Sequence, residues 1–133
     1  MYTVAFFDIG NTLGVVTQSP LHLKPFPSTE SLLQSFGAAL RLRLGIITNS
    51  GEFNTAEISS MLEAAGLLRF FEPALVLTSA EIGAEKPKAK IYKCAAARAG
   101  VSIGQCLYIG DAPTEVDGAQ SAGMGGLLKP VPT

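Results

Sequence analysis

Charge is scarce in this sequence, and what there is nearly cancels. Charged residues make up 16% of the 133 positions, with 10 Lys and Arg against 11 Asp and Glu, for a formal net charge of -1. The two signs are spread along the chain, so there is no basic stripe of the kind that nucleic-acid and membrane-surface binders present. Long apolar runs are missing too. The longest are strand-sized, such as Ala74 to Leu77, far short of a membrane span. Asp8 comes too early for a signal peptide, and a cytoplasmic protein is expected. Cysteine is limited to Cys94 and Cys106, both in apolar settings without Cys-x-x-Cys spacing or a neighbouring His, which points to reduced, buried thiols. Histidine is limited to His22.

What is present is core. Apolar residues reach 47% of the chain, enough for a packed globule, and 133 residues leave no room for a second folded domain, so one domain over 1-133 is expected. Short β-branched or aromatic runs alternate with longer stretches of helical apolar spacing. Strands are expected from Thr3 to Asp8, Leu44 to Thr48, Ala74 to Thr78, Cys106 to Gly110 and Gly126 to Lys129, several of them apolar throughout, as strands covered on both faces are. Helices are expected from Ser28 to Leu42, Asn54 to Ala65, Lys88 to Ala99 and Thr114 to Ala122. Asn54 reads as an N-cap, Gly66 and Gly100 as stops, and Pro87 as a residue of a first helical turn. The proline-rich stretch from Gly14 to Pro27 reads as a loop or flap.

This alternation implies a doubly wound, parallel α/β sheet in three α/β/α layers, whose ligands bind outside the carboxyl ends of the strands. Asp8 ends the first strand, Thr48 and Asn49 the second, and Gly110 and Asp111 the fourth, while Lys86 enters before the third helix. Each alone is ordinary capping chemistry, but together they point to a site for a phosphoryl group. A carboxylate attacks phosphorus when the phosphoryl charge is neutralised, and a lysine and a hydroxyl are suited to that work. Two carboxylates with a backbone carbonyl also suit Mg²⁺, which takes hard oxygen ligands and keeps several waters.

The ordered set FFDIGNTL, IITNS, EKPKAKIY and YIGDAPTEVDGAQSAGM resembles the haloacid dehalogenase-like superfamily of hydrolases over nearly the whole chain. The resemblance implies a Rossmann-like core and a Mg²⁺-dependent phosphatase working through an aspartyl nucleophile and an acyl phosphate. It makes Asp8 the nucleophile, Thr48 and Lys86 the phosphoryl-binding pair with Asn49 beside them, and Asp8, the Gly10 carbonyl and Asp111 the metal ligands. Glu115, four residues after Asp111, is the expected further metal ligand, with Asp117 as its substitute.

One departure bears on catalysis. Phosphatases of this superfamily generally carry a second Asp two residues after the nucleophile, as acid and then base; here that position is Gly10. Such help is worth about 10²- to 10⁴-fold, so turnover is expected to slow. His22 in the flap is a candidate replacement, although an exposed flap histidine with no role is the plainer reading. The intervals Asp8 to Thr48 and Thr48 to Lys86 leave no room for a sizeable cap. Capless relatives act on large substrates or close their sites with a neighbouring subunit, so the expected partners are a phosphorylated small molecule or macromolecule and a homo-oligomer over the open site. Three other readings stand beside this one, the first a non-phosphatase hydrolase of the superfamily, since its dehalogenase and phosphonatase branches also lack the second Asp. A receiver-like signalling domain is disfavoured by the order of its acids, and a non-catalytic member that binds a ligand or partner is favoured by Gly10.

Overall fold

The computed structural model describes residues 1–132. Strand β1 (Val4–Phe7) is buried along its whole length. An antiparallel ribbon of β2 (Gly14–Gln18) and β3 (Leu21–Pro25) follows it. The remaining strands are β4 (Arg43–Thr48), β5 (Val76–Thr78), β6 (Cys106–Gly110) and β7 (Gly125–Leu128). Outside the ribbon the strands form one sheet in the order β5-β4-β1-β6-β7, with every pairing parallel. The order runs outward in both directions from β1, which makes the carboxyl end of β1 the switch point where such sheets open a crevice.

Two faces of β1 feed two cores, as alternation along a strand requires. Val4 and Phe6 pack with Ile91, Tyr92 and Ala95 of α4 (Ala89–Ala99) and with Val116 and Ala119 of α5 (Pro113–Ala122). Ala5 and Phe7 pack with Leu33 of α1 (Thr29–Gln34) and with Ile58, Met61 and Leu62 of α2 (Thr55–Ala64). The expected three-layer, doubly wound architecture is therefore present. A short α3 (Ser79–Ile82), capped by the Thr78 side chain, follows β5. Among the described residues no helix is long and apolar enough to cross a membrane.

The local signals locate most boundaries. Asn54 caps α2 through a reciprocal bond pair with Glu57, and Gly100 ends α4 in the left-handed conformation. Cys94 and Cys106 are free, the second buried. Three expectations need correction. Gly14 to Pro27, expected as a loop or flap without regular structure, is mostly the paired β2–β3 ribbon. The first helix keeps α geometry only to Gln34 and continues as a π-helix over Ser35–Ala39. Helix α4 starts at Ala89 with Lys88 at its N-cap, so Pro87 lies before the helix.

One contact places the last helix. A β-carbon at Gly118 would lie 2.6 Å from Pro87 Cβ and 2.7 Å from the Pro87 carbonyl oxygen, so α5 approaches the residue after Lys86 because position 118 has no side chain. Gly118→Ala is expected to push α5 outward and cost about 1–3 kcal/mol of stability, as overpacking does. Urea unfolding measures it, and a variant as stable as the native protein contradicts this account of the contact.

Candidate functional site

The carboxyl ends of the central strands deliver the polar residues by chain geometry alone. Asp8 follows β1, Thr48 closes β4 and Asp111 follows β6, and these are the three strands at the switch point. A cavity of about 270 Å³ opens there, its polar lining made by Asp8, Gln18, Thr48, Asn49, Ser50, Lys86 and Glu115. Gly10 also lines it.

Lys86 is the hub. Its side chain is only 1% exposed, and a buried ammonium is tolerated only when its donors are used. Nζ lies 2.9 Å from Asp8 Oδ1 and 2.9 Å from Glu115 Oε1, and it donates to the Tyr108 hydroxyl at 2.8 Å. That hydroxyl in turn donates to Glu115 Oε1 at 3.2 Å. Asn49 holds the Lys86 main chain by both ends of its amide, donating to the Lys86 carbonyl at 3.1 Å and accepting from the Lys86 N–H at 2.9 Å. Its side chain, expected on the phosphoryl group, is occupied in setting the lysine.

Asp8 feels opposing influences. Burial pushes its carboxyl above the ordinary value of 3.8, and Lys86 pulls it back by charge and hydrogen bonding. The Ile9 backbone N–H pulls the same way, while the neighbouring Asp111 carboxyl raises it further. Burial also drives the Tyr108 hydroxyl well up, with Asp8 and Glu115 adding to it, so Tyr108 remains a neutral donor and acceptor. Its ring meets Tyr92 edge-on at 5.7 Å, and the Tyr92 hydroxyl donates to the Glu115 carbonyl at 2.6 Å.

Hard-oxygen chemistry for a divalent cation is present in part. Asp111 raises the Asp8 carboxyl as a neighbouring acid and accepts from Thr12 Oγ1 at 3.4 Å. Two adjacent carboxylates and the nearby Gly10 carbonyl suit Mg²⁺, which needs few protein ligands. Among the described residues no group of three or more His, Cys, Asp or Glu is arranged for a metal. Glu115, expected as a further ligand, is instead spent on Lys86 and Tyr108, because the ammonium competes for its carboxylate. Asp117 is exposed on α5, and His22 is exposed on β3 and outside the cavity lining.

Sequence reasoning missed Tyr108, Tyr92, Thr12 and the ribbon residues Val16, Gln18 and Leu21, which line the cavity. A tyrosine two residues before Gly110-Asp111 was the available signal for Tyr108, and it stands within an otherwise apolar strand.

Comparisons with known proteins agree with the fold. The model of the haloacid dehalogenase-like hydrolase family matches residues 10–128, beginning just after Asp8. A glyceraldehyde 3-phosphate phosphatase from Methanothermobacter thermautotrophicus is 33% identical over 120 residues, 87% of this chain and 50% of that protein. The crystal structure of a phosphatase of this family from Thermococcus onnurineus superposes with a TM-score of 0.68 at 31% identity, over 80% of this chain and 46% of that one. A protein from Listeria monocytogenes shares the fold at a TM-score of 0.81 and 20% identity, over 93% of this chain and 76% of that one. The chain spans half or less of the length of the curated relatives it matches. By the extent of the family match and the parallel sheet that carries its polar strand ends, this chain belongs to the haloacid dehalogenase-like hydrolases.

Proposed function

We propose that this chain hydrolyses phosphate monoesters through Asp8. The observation that carries the reading is the 2.9 Å pair between Asp8 and the buried Lys86 at the switch point of the sheet, opening on a cavity shared with Thr48. Relatives named as phosphatases support it. Asp8 attacks phosphorus, while Lys86 turns part of its hydrogen bonding from Asp8 to the incoming phosphoryl oxygens and offsets their charge. The Thr48 hydroxyl orients those oxygens. Asn49, Glu115 and Tyr108 hold Lys86 in place. Mg²⁺, held by Asp8, Asp111 and the Gly10 carbonyl, would supply charge neutralisation at the phosphoryl group. A phosphorylated small molecule or macromolecule is the proposed substrate, and a second copy of the chain is a proposed cover for the open side.

Gly10 favours a second reading, a member that binds phosphorylated ligands with impaired turnover. A phosphoester panel, with and without Mg²⁺, separates the two when native protein is compared with Asp8→Asn. Turnover lost in the variant is expected; equal rates in both would sink the catalytic reading. Beryllofluoride with Mg²⁺ is expected to add to Asp8 in crystals of the native protein.

A further inference from the structure

Besides its polar groups the cavity beside Asp8 has an apolar lining, Val16 and Leu21 of the ribbon with Phe53, Ile58 and Met61, and the ribbon also contributes Gln18. At about 270 Å³ the space lies just below the range of about 300–1,000 Å³ usual for drug-sized ligands. It suits a phosphoryl group carrying one small apolar substituent.

Gly10 adds a chemical restriction. A β-carbon there would meet nothing nearer than Val16 Cγ2, at 4.0 Å, and both residues line the cavity. A β-carbon is therefore tolerated at this position. Among the described lining residues the acids are Asp8, the nucleophile, and Glu115, paired with Lys86 and Tyr108. A leaving group must therefore depart unprotonated. An alkoxide is about as basic as hydroxide and leaves poorly without a proton, whereas a phenolate has a conjugate acid near pKa 10 and leaves readily.

We infer that this site selects monoaryl phosphates, esters whose leaving group needs no proton and presents a flat apolar face to the ribbon and α2. The inference rests on the phosphatase reading above. Asp8 attacks phosphorus, an Asp8 O–P bond forms, and the P–O(aryl) bond breaks with its electron pair leaving on the phenolate oxygen. Water then attacks phosphorus, the Asp8 O–P bond breaks, the carboxylate is restored and inorganic phosphate departs with the excess proton passing to solvent. The aryl group can belong to a free small molecule or to a phosphotyrosyl side chain.

The test measures kcat/KM with Mg²⁺ for phenyl phosphate, a phosphotyrosine peptide, glycerol phosphate and acetyl phosphate. The native protein is expected to favour phenyl over glycerol phosphate by about 10²-fold or more, the reach of a missing general acid. Gly10→Asp is expected to raise glycerol phosphate turnover by about 10²-fold and phenyl phosphate turnover by less than about tenfold. Leu21→Ala, which trims only the apolar wall, is expected to lower phenyl phosphate turnover about tenfold more than that of acetyl phosphate, which leaves readily but has no ring. A peptide rate matching phenyl phosphate assigns a protein substrate, and a far slower one a small molecule. Glycerol phosphate turned over as fast as phenyl phosphate overturns the inference and leaves the phosphatase reading standing. Failure of every ester to phosphorylate Asp8, followed by mass spectrometry, sinks the phosphatase reading itself.

Discussion

Replacing Lys86 by Met is expected to destabilise the protein by about 3 kcal/mol at neutral pH and to abolish turnover. The ammonium sits between two carboxylates, each 2.9 Å away, and receives a third partner in Tyr108. Removing one member of a buried ionic cluster leaves the others desolvated and unpaired, a cost of about 3–5 kcal/mol. Asp8 and Glu115 are 14% and 21% exposed, and this residual contact with water places the expected cost at the lower end. Met matches the lysine stem in length, so the packing loss is small and the effect reports charge. Because burial raises the Asp8 carboxyl above its ordinary value, the gap between native and variant should narrow as the pH falls and Asp8 takes up its proton. Urea unfolding at neutral and acid pH checks both statements. A variant within about 1 kcal/mol of the native protein at neutral pH would mean that the cluster does not depend on its cation.

The path from sequence to this cluster was short where backbone geometry does the placing and long where side chains choose partners. Asp8, Thr48 and Asp111 were legible because strand ends are fixed by apolar runs, and parallel topology collects those ends at one edge. Lys86 was legible as a cation near them. Glu115 was not, because its spacing from Asp111 places it in the first turn of α5 but says nothing of which way its carboxylate turns. That choice depends on Lys86 and Tyr108, 29 and 7 residues away in the chain. The bond of the Asn49 amide to the Lys86 main chain was hidden for the same reason. The ribbon escaped because its strands bury only Gly14 and Leu23, so period-2 alternation is faint, and because its prolines read as loop. These prolines fall where a ribbon admits them, Pro20 in the turn and Pro25 at the end of β3. The ribbon's omission mattered most for function, since it supplies part of the wall that defines the leaving group.

Asp8→Asn is expected to separate activity from stability in opposite directions. Turnover should fall by at least about 10³-fold, since an amide cannot serve as the nucleophile and the remaining groups only bind. Stability in buffer without divalent ions should rise. The folded-state pKa of Asp8 lies above the ordinary 3.8, chiefly through burial, with Lys86 only partly compensating. The folded protein therefore holds the Asp8 proton more tightly than the unfolded chain does. The stabilisation linked to that proton is full below the ordinary value and is lost as the pH rises through the raised one. At neutral pH the ionised carboxylate is a net cost to the fold, and an isosteric amide removes it, while Lys86 keeps Glu115 and Tyr108. Thermal unfolding from pH 3 to 8 should show the native curve dropping below the variant curve on leaving the acid range. Mg²⁺ should then reverse the order: a ligand bound to the folded state at 100 times its Kd adds about 2.7 kcal/mol, and only the native protein retains both carboxylates to hold it. A variant less stable than the native protein at every pH without Mg²⁺ would refute the account of Asp8 as a strained, desolvated nucleophile. Equal Mg²⁺ stabilisation of both proteins would remove Asp8 from the proposed metal site.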